Sequence, residues 1–187
     1  MFYKIITTPI GNISIFTDNT GLKAVKFETS KNPKYSEQSF YSNDLKANYQ
    51  GFEQSVQIKK CKQDLTMAKS ICLETEKQLL EYFSGKRKIF DLPLSPDGTD
   101  FQKLVWKYLY TIPYGKLVSY KMVAQGINKP QACRAVGNAN GKNPISIIIP
   151  CHRVITSDKK IGGYSSGLKI KKYLLNLEKA MLVDNLL

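Results

Sequence analysis

The stretch Ile-Ser-Ile-Ile-Ile-Pro-Cys-His-Arg-Val-Ile, residues 145–155, is a nearly continuous apolar run interrupted by Pro150, Cys151, His152 and Arg153. β-Branched residues crowded in this way predict a strand buried on both faces over residues 145–149. Proline cannot donate to a sheet ladder, so we expect the pairing to loosen just before the cysteine. The only histidine of the chain would then lie beside a cysteine at the end of a buried segment.

The adjacent Cys151 and His152 have two interpretations. Cysteine is among the most buried residue types, so Cys151 can be a small core residue. Its polar neighbours favour a reactive thiol instead, because a nearby imidazole can generate the nucleophilic thiolate. Consecutive side chains on a strand point to opposite faces, so a water molecule or a bend at Pro150 would have to connect the thiol to His152.

Length and cysteine distribution limit the class of protein. A chain of 187 residues allows one large or two small domains. Residues 1–9 contain no long apolar core, so we do not expect a secretory signal, and no run approaches the ~18 apolar residues that span a bilayer. The scattered cysteines form no CxxC pair, which argues against a structural zinc site and a disulfide framework. We therefore expect a cytoplasmic protein with no membrane partner; the cysteines are Cys61, Cys72, Cys133 and Cys151.

The net charge of +13 is unevenly distributed. Residues 1–94 hold 14 Lys and Arg against 10 Asp and Glu, whereas residues 95–187 hold 14 against 5. The basic excess thus lies in the half that contains Cys151. Such a field favours a polyanion, most simply nucleic acid, although lysine-rich surfaces also serve solubility alone.

The first half predicts a small antiparallel meander followed by a helix. Residues 3–6, 13–17 and 22–27 are expected to be strands, and residues 30–62 a loop followed by a strand or helix. Residues 65–83 have helical spacing, with Gly85 as a stop signal. The turn at residues 95–98 suggests domains at 1–94 and 95–187. The apolar helix positions are Leu65, Ala68, Cys72, Leu79, Tyr82 and Phe83.

The second half predicts four helices. Thr99 and Gln102 fit a capping box before a helix whose buried face reaches residue 112. Ser119 would cap a helix to about residue 125, and Pro130 suits the first turn of the next, through about residue 139. This pair resembles a helix-turn-helix, or an ordinary hairpin of a helical bundle. A last helix covers residues 168–181, and Glu178 beside its apolar face needs a partner, for which His152 is a candidate.

The residues from 98 to 178 resemble the O6-alkylguanine-DNA alkyltransferases (methylated-DNA–protein-cysteine methyltransferases). Pro-Cys-His-Arg alone would be a moderate signal, but the ordered set of motifs is specific. The N-terminal part is similar only in general layout. The motifs are Gly98-Thr99-Asp100-Phe101-Gln102, Val105-Trp106, Ile112-Pro113-Tyr114-Gly115, Ser119-Tyr120, Arg134-Ala135-Val136-Gly137, Asn143-Pro144, Ile149-Pro150-Cys151-His152-Arg153-Val154, Gly163-Tyr164-Ser165 and Leu174-Leu175 to Glu178.

The resemblance implies an α+β fold, with a small N-terminal antiparallel sheet and helix (ribonuclease H-like). A mainly helical C-terminal domain with a winged-helix-like helix-turn-helix would follow. It implies a monomer that binds double-stranded DNA from the minor groove, flips the damaged guanine and moves its alkyl group irreversibly to Cys151. It implies no cofactor and no metal.

The resemblance also assigns residues. The catalytic set is Cys151, His152, Glu178, Tyr120 and Asn143. The DNA-binding set is Arg134, Tyr120, Ala135, Cys133, Lys142 and Gly137. The base-binding set is Tyr164, Ser165 and the carbonyls of Val154 and Cys151.

One departure and two rival functions stay open. Ser166 stands where many members have glycine, which predicts a narrower pocket. A non-catalytic lesion sensor would share the DNA-binding parts, but such proteins typically lack the cysteine. A cysteine hydrolase using Cys151 and His152 would leave the basic helix-turn-helix half unexplained, and adjacent residues make a poor dyad.

Overall fold

The computed structural model describes residues 1–28 and 54–180, with side chains described at 1–28 and 64–180. Strands β1 (Phe2–Thr8), β2 (Gly11–Asp18) and β3 (Gly21–Phe27) form an antiparallel sheet in the order β1-β2-β3. Asp18 closes the second turn, because Oδ1 accepts from the backbone N–H groups of Thr20 and Gly21. The meander predicted from the sequence is confirmed.

Helix α1 (Gln54–Phe83) packs on this sheet and begins earlier than the predicted residue 65. Ala68, Cys72, Leu79 and Tyr82 are buried as predicted. Leu65 is 47% exposed, contrary to the prediction. Ala68 is the first buried side chain of α1 in the described part of the chain, and its carbonyl accepts from Thr17 Oγ1 of β2. The helix ends where predicted, at a Gly85 with φ of 75°. Residues 30–62 were predicted to be a loop followed by a strand or helix. Their first part, residues 30–53, lies outside the described residues.

The outer edge of β3 joins the two halves of the chain. Leu22 donates to Pro93 O and accepts from Ser95 N. Further along, Val25 donates to Pro144 O and accepts from Ser146 N. Covering an edge strand in this way satisfies its backbone groups. The segment that precedes Cys151 is therefore fixed against the N-terminal sheet.

The helices of the second half follow the predicted caps. Helix α2 (Asp100–Tyr110) has both bonds of the capping box at Thr99 and Gln102, and Ser119 caps α3 (Tyr120–Gly126). Helix α4 (Cys133–Gly141) packs against α3 and begins later than predicted. Pro130 lies in the intervening turn, which is closed by Lys129 N–H to Ala124 O and Ala132 N–H to Lys129 O.

The apolar run at residues 145–149 is buried but is not a strand. Ile145 makes one bridge to Val25, after which the chain coils: Ile148 N–H donates to Ser146 O, and Ile149 N–H to Ile145 O. Ile147 has φ of 73°, which no regular strand contains. Apolar periodicity predicts burial, and it cannot distinguish a strand from a compact buried turn.

A 3-10 helix (Cys151–Arg153) leads into β5 (Val154–Ile155), which pairs in parallel with β4 (Val118–Ser119). Helix α5 (Leu168–Leu177) ends earlier than predicted, where Glu178 caps it and Lys179 adopts φ of 49°. Met181 lies outside the described residues. In the described part of the chain, no helix is long and apolar enough to cross a membrane.

Candidate active site

Cys151 is held by a braced turn. Asn143 Nδ2 donates to Ile149 O over 2.7 Å, and Asn143 Oδ1 accepts from Ile145 N over 3.0 Å. Between them Ile147 keeps its left-handed backbone, a conformation that persists only where the surroundings impose it. The turn replaces the predicted strand end and fixes where the cysteine lies, 3% exposed.

Next to the cysteine lies a buried cluster of His152, Arg153 and Glu178. His152 Nε2 and Glu178 Oε1 are 2.8 Å apart. Arg153 forks onto the same carboxylate, with Nε 2.8 Å from Oε2 and Nη2 2.9 Å from Oε1. His152 is fully buried, Arg153 is 5% exposed and Glu178 3%. Two further donors reach the carboxylate: the Tyr82 hydroxyl at 2.8 Å and Gly115 N–H at 3.1 Å.

The protonation of this cluster follows from its contacts. Burial opposes ionisation of Glu178, but the hydrogen bonds from His152 and Arg153, together with the charge of Arg153, outweigh it and hold its pKa well below the usual range. Burial lowers the pKa of His152, against the opposing effect of Glu178. A neutral imidazole beside a carboxylate must donate through Nε2. Its Nδ1 is then a buried proton acceptor with no hydrogen-bond partner among the described residues.

The thiol of Cys151 is not a free thiolate at rest. Burial raises its pKa, while the side chains of Asn143 and Tyr164 and the charge of Lys171 favour the thiolate. A thiol in such surroundings reacts only when a base removes its proton. Cys151, His152 and Arg153 form a 3-10 helix directly after Pro150, so the chain bends there. A bend was one of the two links between the thiol and His152 that the sequence analysis allowed, the other being a water molecule.

A cavity of about 240 Å³ lies between α3, α4 and the glycine-rich loop before α5, residues 161–167. It brings together four residues that the family resemblance assigned to DNA or base binding: Tyr120, Gly137, Tyr164 and Ser165. Asn140, Gly141 and Gly163 complete the lining. Ser166, expected to narrow the pocket, is not among the residues that line it.

Helix α4 presents the remaining predicted DNA contacts on its outer side. Arg134, Ala135 and Lys142 are exposed, and Cys133 is half-buried with Sγ 3.6 Å from Pro130 O. Its inner side is anchored by Trp106 Nε1, which donates to Ala139 O over 2.8 Å. The outer side of α4 therefore carries the exposed Arg134, while Gly137, Asn140 and Gly141 of the same helix line the cavity.

Asn140 was missed by the sequence analysis. Its side chain is 4% exposed and lines the cavity, and Nδ2 donates to Cys151 O over 3.4 Å. Its Oδ1 has no hydrogen-bond partner in the described part of the chain. The available sequence signal was a polar residue among the small residues of α4.

Lys171 was missed as well. The fully buried ammonium donates to Val154 O over 2.6 Å and to the carbonyls of Ile161 and Gly163. Burial lowers its pKa to about 8. A lysine three residues before buried Leu174 was the signal, because it falls on the apolar face of α5. Lys171 therefore links β5 to the glycine-rich loop. The carbonyl of Val154, which the resemblance assigned to base binding, already accepts a hydrogen bond from Lys171.

Comparisons with known proteins cover nearly the full chain. Two family models match: the 6-O-methylguanine DNA methyltransferase ribonuclease-like domain at residues 1–96, and its DNA binding domain at residues 100–180. A methylated-DNA–protein-cysteine methyltransferase of Methanosarcina barkeri is 45% identical over 96% of this chain and 98% of that protein. One of Haemophilus influenzae is 35% identical over 98% and 89%.

Solved structures agree with these matches. The chain resembles Mycobacterium tuberculosis OGT in complex with DNA, with a TM-score of 0.70 and 35% identity over 95% of this chain and 92% of that one. It also resembles the O6-methylguanine-DNA methyltransferase of the archaeon Pyrococcus kodakaraensis, with a TM-score of 0.50 and 20% identity over 95% and 99%. The second likeness concerns the fold alone.

Proposed function

The chain belongs to the 6-O-methylguanine DNA methyltransferase family, and we propose that it repairs alkylated DNA by direct reversal. The lesion is O6-alkylguanine in duplex DNA, with O4-alkylthymine as a second candidate. The alkyl group moves irreversibly to Cys151, so each molecule acts once and needs no cofactor. The observation that carries the proposal is a buried cysteine whose carbonyl accepts from Asn140 of the cavity wall. It precedes His152, which forms a buried pair with Glu178 and whose imidazole Nδ1 is an acceptor without a partner among the described residues.

The transfer is a displacement at the alkyl carbon. The sulfur of Cys151 attacks that carbon, the carbon–O6 bond breaks and its electrons return to the base. The thiol proton passes through a water molecule to Nδ1 of His152, and Glu178 stabilises the imidazolium. A proton finally returns to the base, which leaves unmodified guanine and a thioether.

Tyr120 is suited to donate towards guanine N3. Burial raises the pKa of its hydroxyl, and the nearby Cys151 raises it further, so the group keeps its proton at neutral pH. The hydroxyl side of its ring faces Gly162 of the glycine-rich loop, and the residue lines the cavity. Donation to a departing purine improves the leaving group.

The flipped base would be held from several sides. Tyr164 and Ser165 offer donors to O6, and the carbonyls of Cys151 and Val154 accept from the exocyclic amine. We add Asn140 to this set, because it lines the same cavity and its Oδ1, which has no hydrogen-bond partner among the described residues, suits an amine donor. Asn143 braces the turn that aims the thiol.

The DNA would lie along the outer side of α4. Arg134 fills the stack left by the flipped nucleotide, while Cys133, Ala135, Gly137 and Lys142 lie along the same helix. The α3–α4 pair serves as the helix-turn-helix. The surplus of Lys and Arg over Asp and Glu in residues 95–187 attracts the phosphates.

The remaining expectations belong to the same proposal. The dispersed free cysteines, Cys72, Cys133 and Cys151, suit the reducing cytoplasm. A monomer is expected, and light scattering measures it. The lesion sensor and the hydrolase are not favoured, because the cysteine is present and the relatives carry the methyltransferase name.

A titration tests the proposal. Duplex DNA with a labelled O6-methylguanine is added in excess, and protein-bound label is counted. Uptake should stop at one methyl group per molecule, and Cys151→Ala should bind the lesion without taking label. Continued turnover, or lesion binding by the wild-type protein without transfer, would contradict it.

A further inference from the structure

A side chain from the N-terminal part enters the cluster behind the reactive cysteine. Tyr82 lies in the last turn of α1, is fully buried and donates through its hydroxyl to Glu178 Oε1 over 2.8 Å. The two residues are 96 positions apart. The same oxygen accepts from His152 Nε2 and Arg153 Nη2. The tyrosine therefore shares the oxygen that orients the imidazole.

The ring of Tyr82 is fixed on several sides. It packs edge-on against Phe83 and Tyr114, with ring centroids 5.5 and 6.1 Å apart, and at a tilt against Phe90 at 5.5 Å. Rings packed in this way leave the hydroxyl little freedom. Burial, followed by the charge of Glu178, raises the pKa of Tyr82 far above its ordinary value, so the hydroxyl stays a donor at every working pH.

We propose that Tyr82 is a positioning residue of the transfer reaction: its hydroxyl fixes the Glu178 carboxylate and, through it, the orientation and basicity of His152. The inference rests on the proposed function for its role in transfer. It also makes the N-terminal part a component of the active site, since a helix of that part supplies the contact.

The expected effect has a definite sign. A donor on Oε1 withdraws negative charge from the carboxylate that faces the imidazole. Without it the carboxylate stabilises imidazolium more strongly, so the pKa of His152 rises. Among the described residues, the charged and titratable groups facing this cluster are Arg153 and Cys151 on the 3-10 helix, Lys171 on α5, Tyr114, Tyr164, and Lys88, which lies over the Tyr114 ring. All remain in a variant that lacks one hydroxyl.

The decisive variant is Tyr82→Phe, which deletes one oxygen from a packed ring. Its matched control is Tyr110→Phe, because the Tyr110 hydroxyl also joins the two halves, donating to Phe90 O over 2.8 Å, without touching Glu178. His152 is the only histidine, so one ¹⁵N-labelled imidazole signal reports its titration directly. This NMR measurement needs neither DNA nor transfer.

We expect Tyr82→Phe to raise the pKa of His152 by about half a unit or more. The acid limb of single-turnover methyl transfer should move up equally, while Tyr110→Phe leaves both unchanged. A tyrosine fluorinated beside the hydroxyl, placed at Tyr82, is a stronger donor and should shift the titration the opposite way.

An unchanged imidazole titration in Tyr82→Phe, or a loss of rate by the same factor at every pH, would reduce Tyr82 to a packing residue and overturn the inference. If Tyr82→Phe does not fold, the fluorinated protein decides, and an unshifted titration there also overturns it. Failure of the proposed function looks different, since the wild-type protein would then take up no methyl group whatever the imidazole does.

Discussion

Nε2 of His152 donates to Oε1 of Glu178 over 2.8 Å, with both side chains out of contact with solvent. The two residues are 26 positions apart and come from the 3-10 helix and the end of α5. The contact fixes the imidazole tautomer and turns Nδ1 into the free acceptor. In the proposed mechanism, the base that serves Cys151 is therefore oriented by a carboxylate that directly follows α5.

The rate of methyl transfer should fall in acid. Burial lowers the pKa of His152, so the imidazole stays neutral until the pH is below 6.5, its ordinary value. Protonation removes the acceptor and should slow transfer, with a midpoint below pH 6.5. Because the unfolded chain binds this proton more readily, acid also favours unfolding through this group. Single-turnover rates across pH measure the first effect, and denaturant titrations across pH measure the second. A midpoint of the rate profile above pH 6.5 would contradict the prediction.

Glu178→Gln should destabilise the protein by about 3–5 kcal/mol at neutral pH, because it leaves Arg153 buried without its partner charge. The pKa of Glu178 is depressed in the folded state, so its contribution is present above the ordinary carboxyl value of 4.5 and is lost as the pH falls below it. The difference between variant and wild type should shrink in that range. Urea unfolding at several pH values measures it, and a constant difference would refute the assignment.

Arg134→Ala should slow transfer from duplex DNA about 10- to 100-fold, since the vacated stack loses roughly 1–3 kcal/mol of support. Transfer from the free base O6-methylguanine needs no flipping and should keep its wild-type rate. The free base thus serves as the control that the site is intact. Equal losses on both substrates would show that Arg134 acts on the site itself.

Asn140→Leu should reduce the preference for O6-methylguanine over O6-methylhypoxanthine, which lacks the exocyclic amine. One neutral hydrogen bond corresponds to a loss of about tenfold in that ratio. Asn138→Leu, on the exposed side of the same helix, is the matched control. The ratio of single-turnover rates on the two duplexes is the measurement. An unchanged ratio in Asn140→Leu would remove Asn140 from the base-binding set.

Local sequence rules predicted the parts of the fold that depend on neighbouring residues. Thr99 and Gln102 form their capping box and Ser119 caps its helix, because a cap needs only residues three apart. The strand predicted over residues 145–149 was wrong, because the chain turns at Ile147. Apolar periodicity cannot reveal a left-handed residue inside a buried run.

The contacts of the candidate site could be predicted where both partners lie in recognisable sequence motifs. His152 and Glu178 were paired from the end of an apolar helix, and the structure brings them into contact. Tyr82, Asn140 and Lys171 could not be placed in the same way. Their partners lie 96, 11 and 17 positions away, and only the folded chain shows which donors share one carboxylate or one carbonyl.

The most direct test of the account is to find where the methyl group goes. The protein is reacted with one equivalent of duplex DNA that carries isotopically labelled O6-methylguanine, digested and mapped by mass spectrometry. The account predicts a single labelled methyl on the Cys151 peptide and restored guanine in the DNA. Label on Cys72 or Cys133, or restored guanine with no labelled peptide, would contradict it.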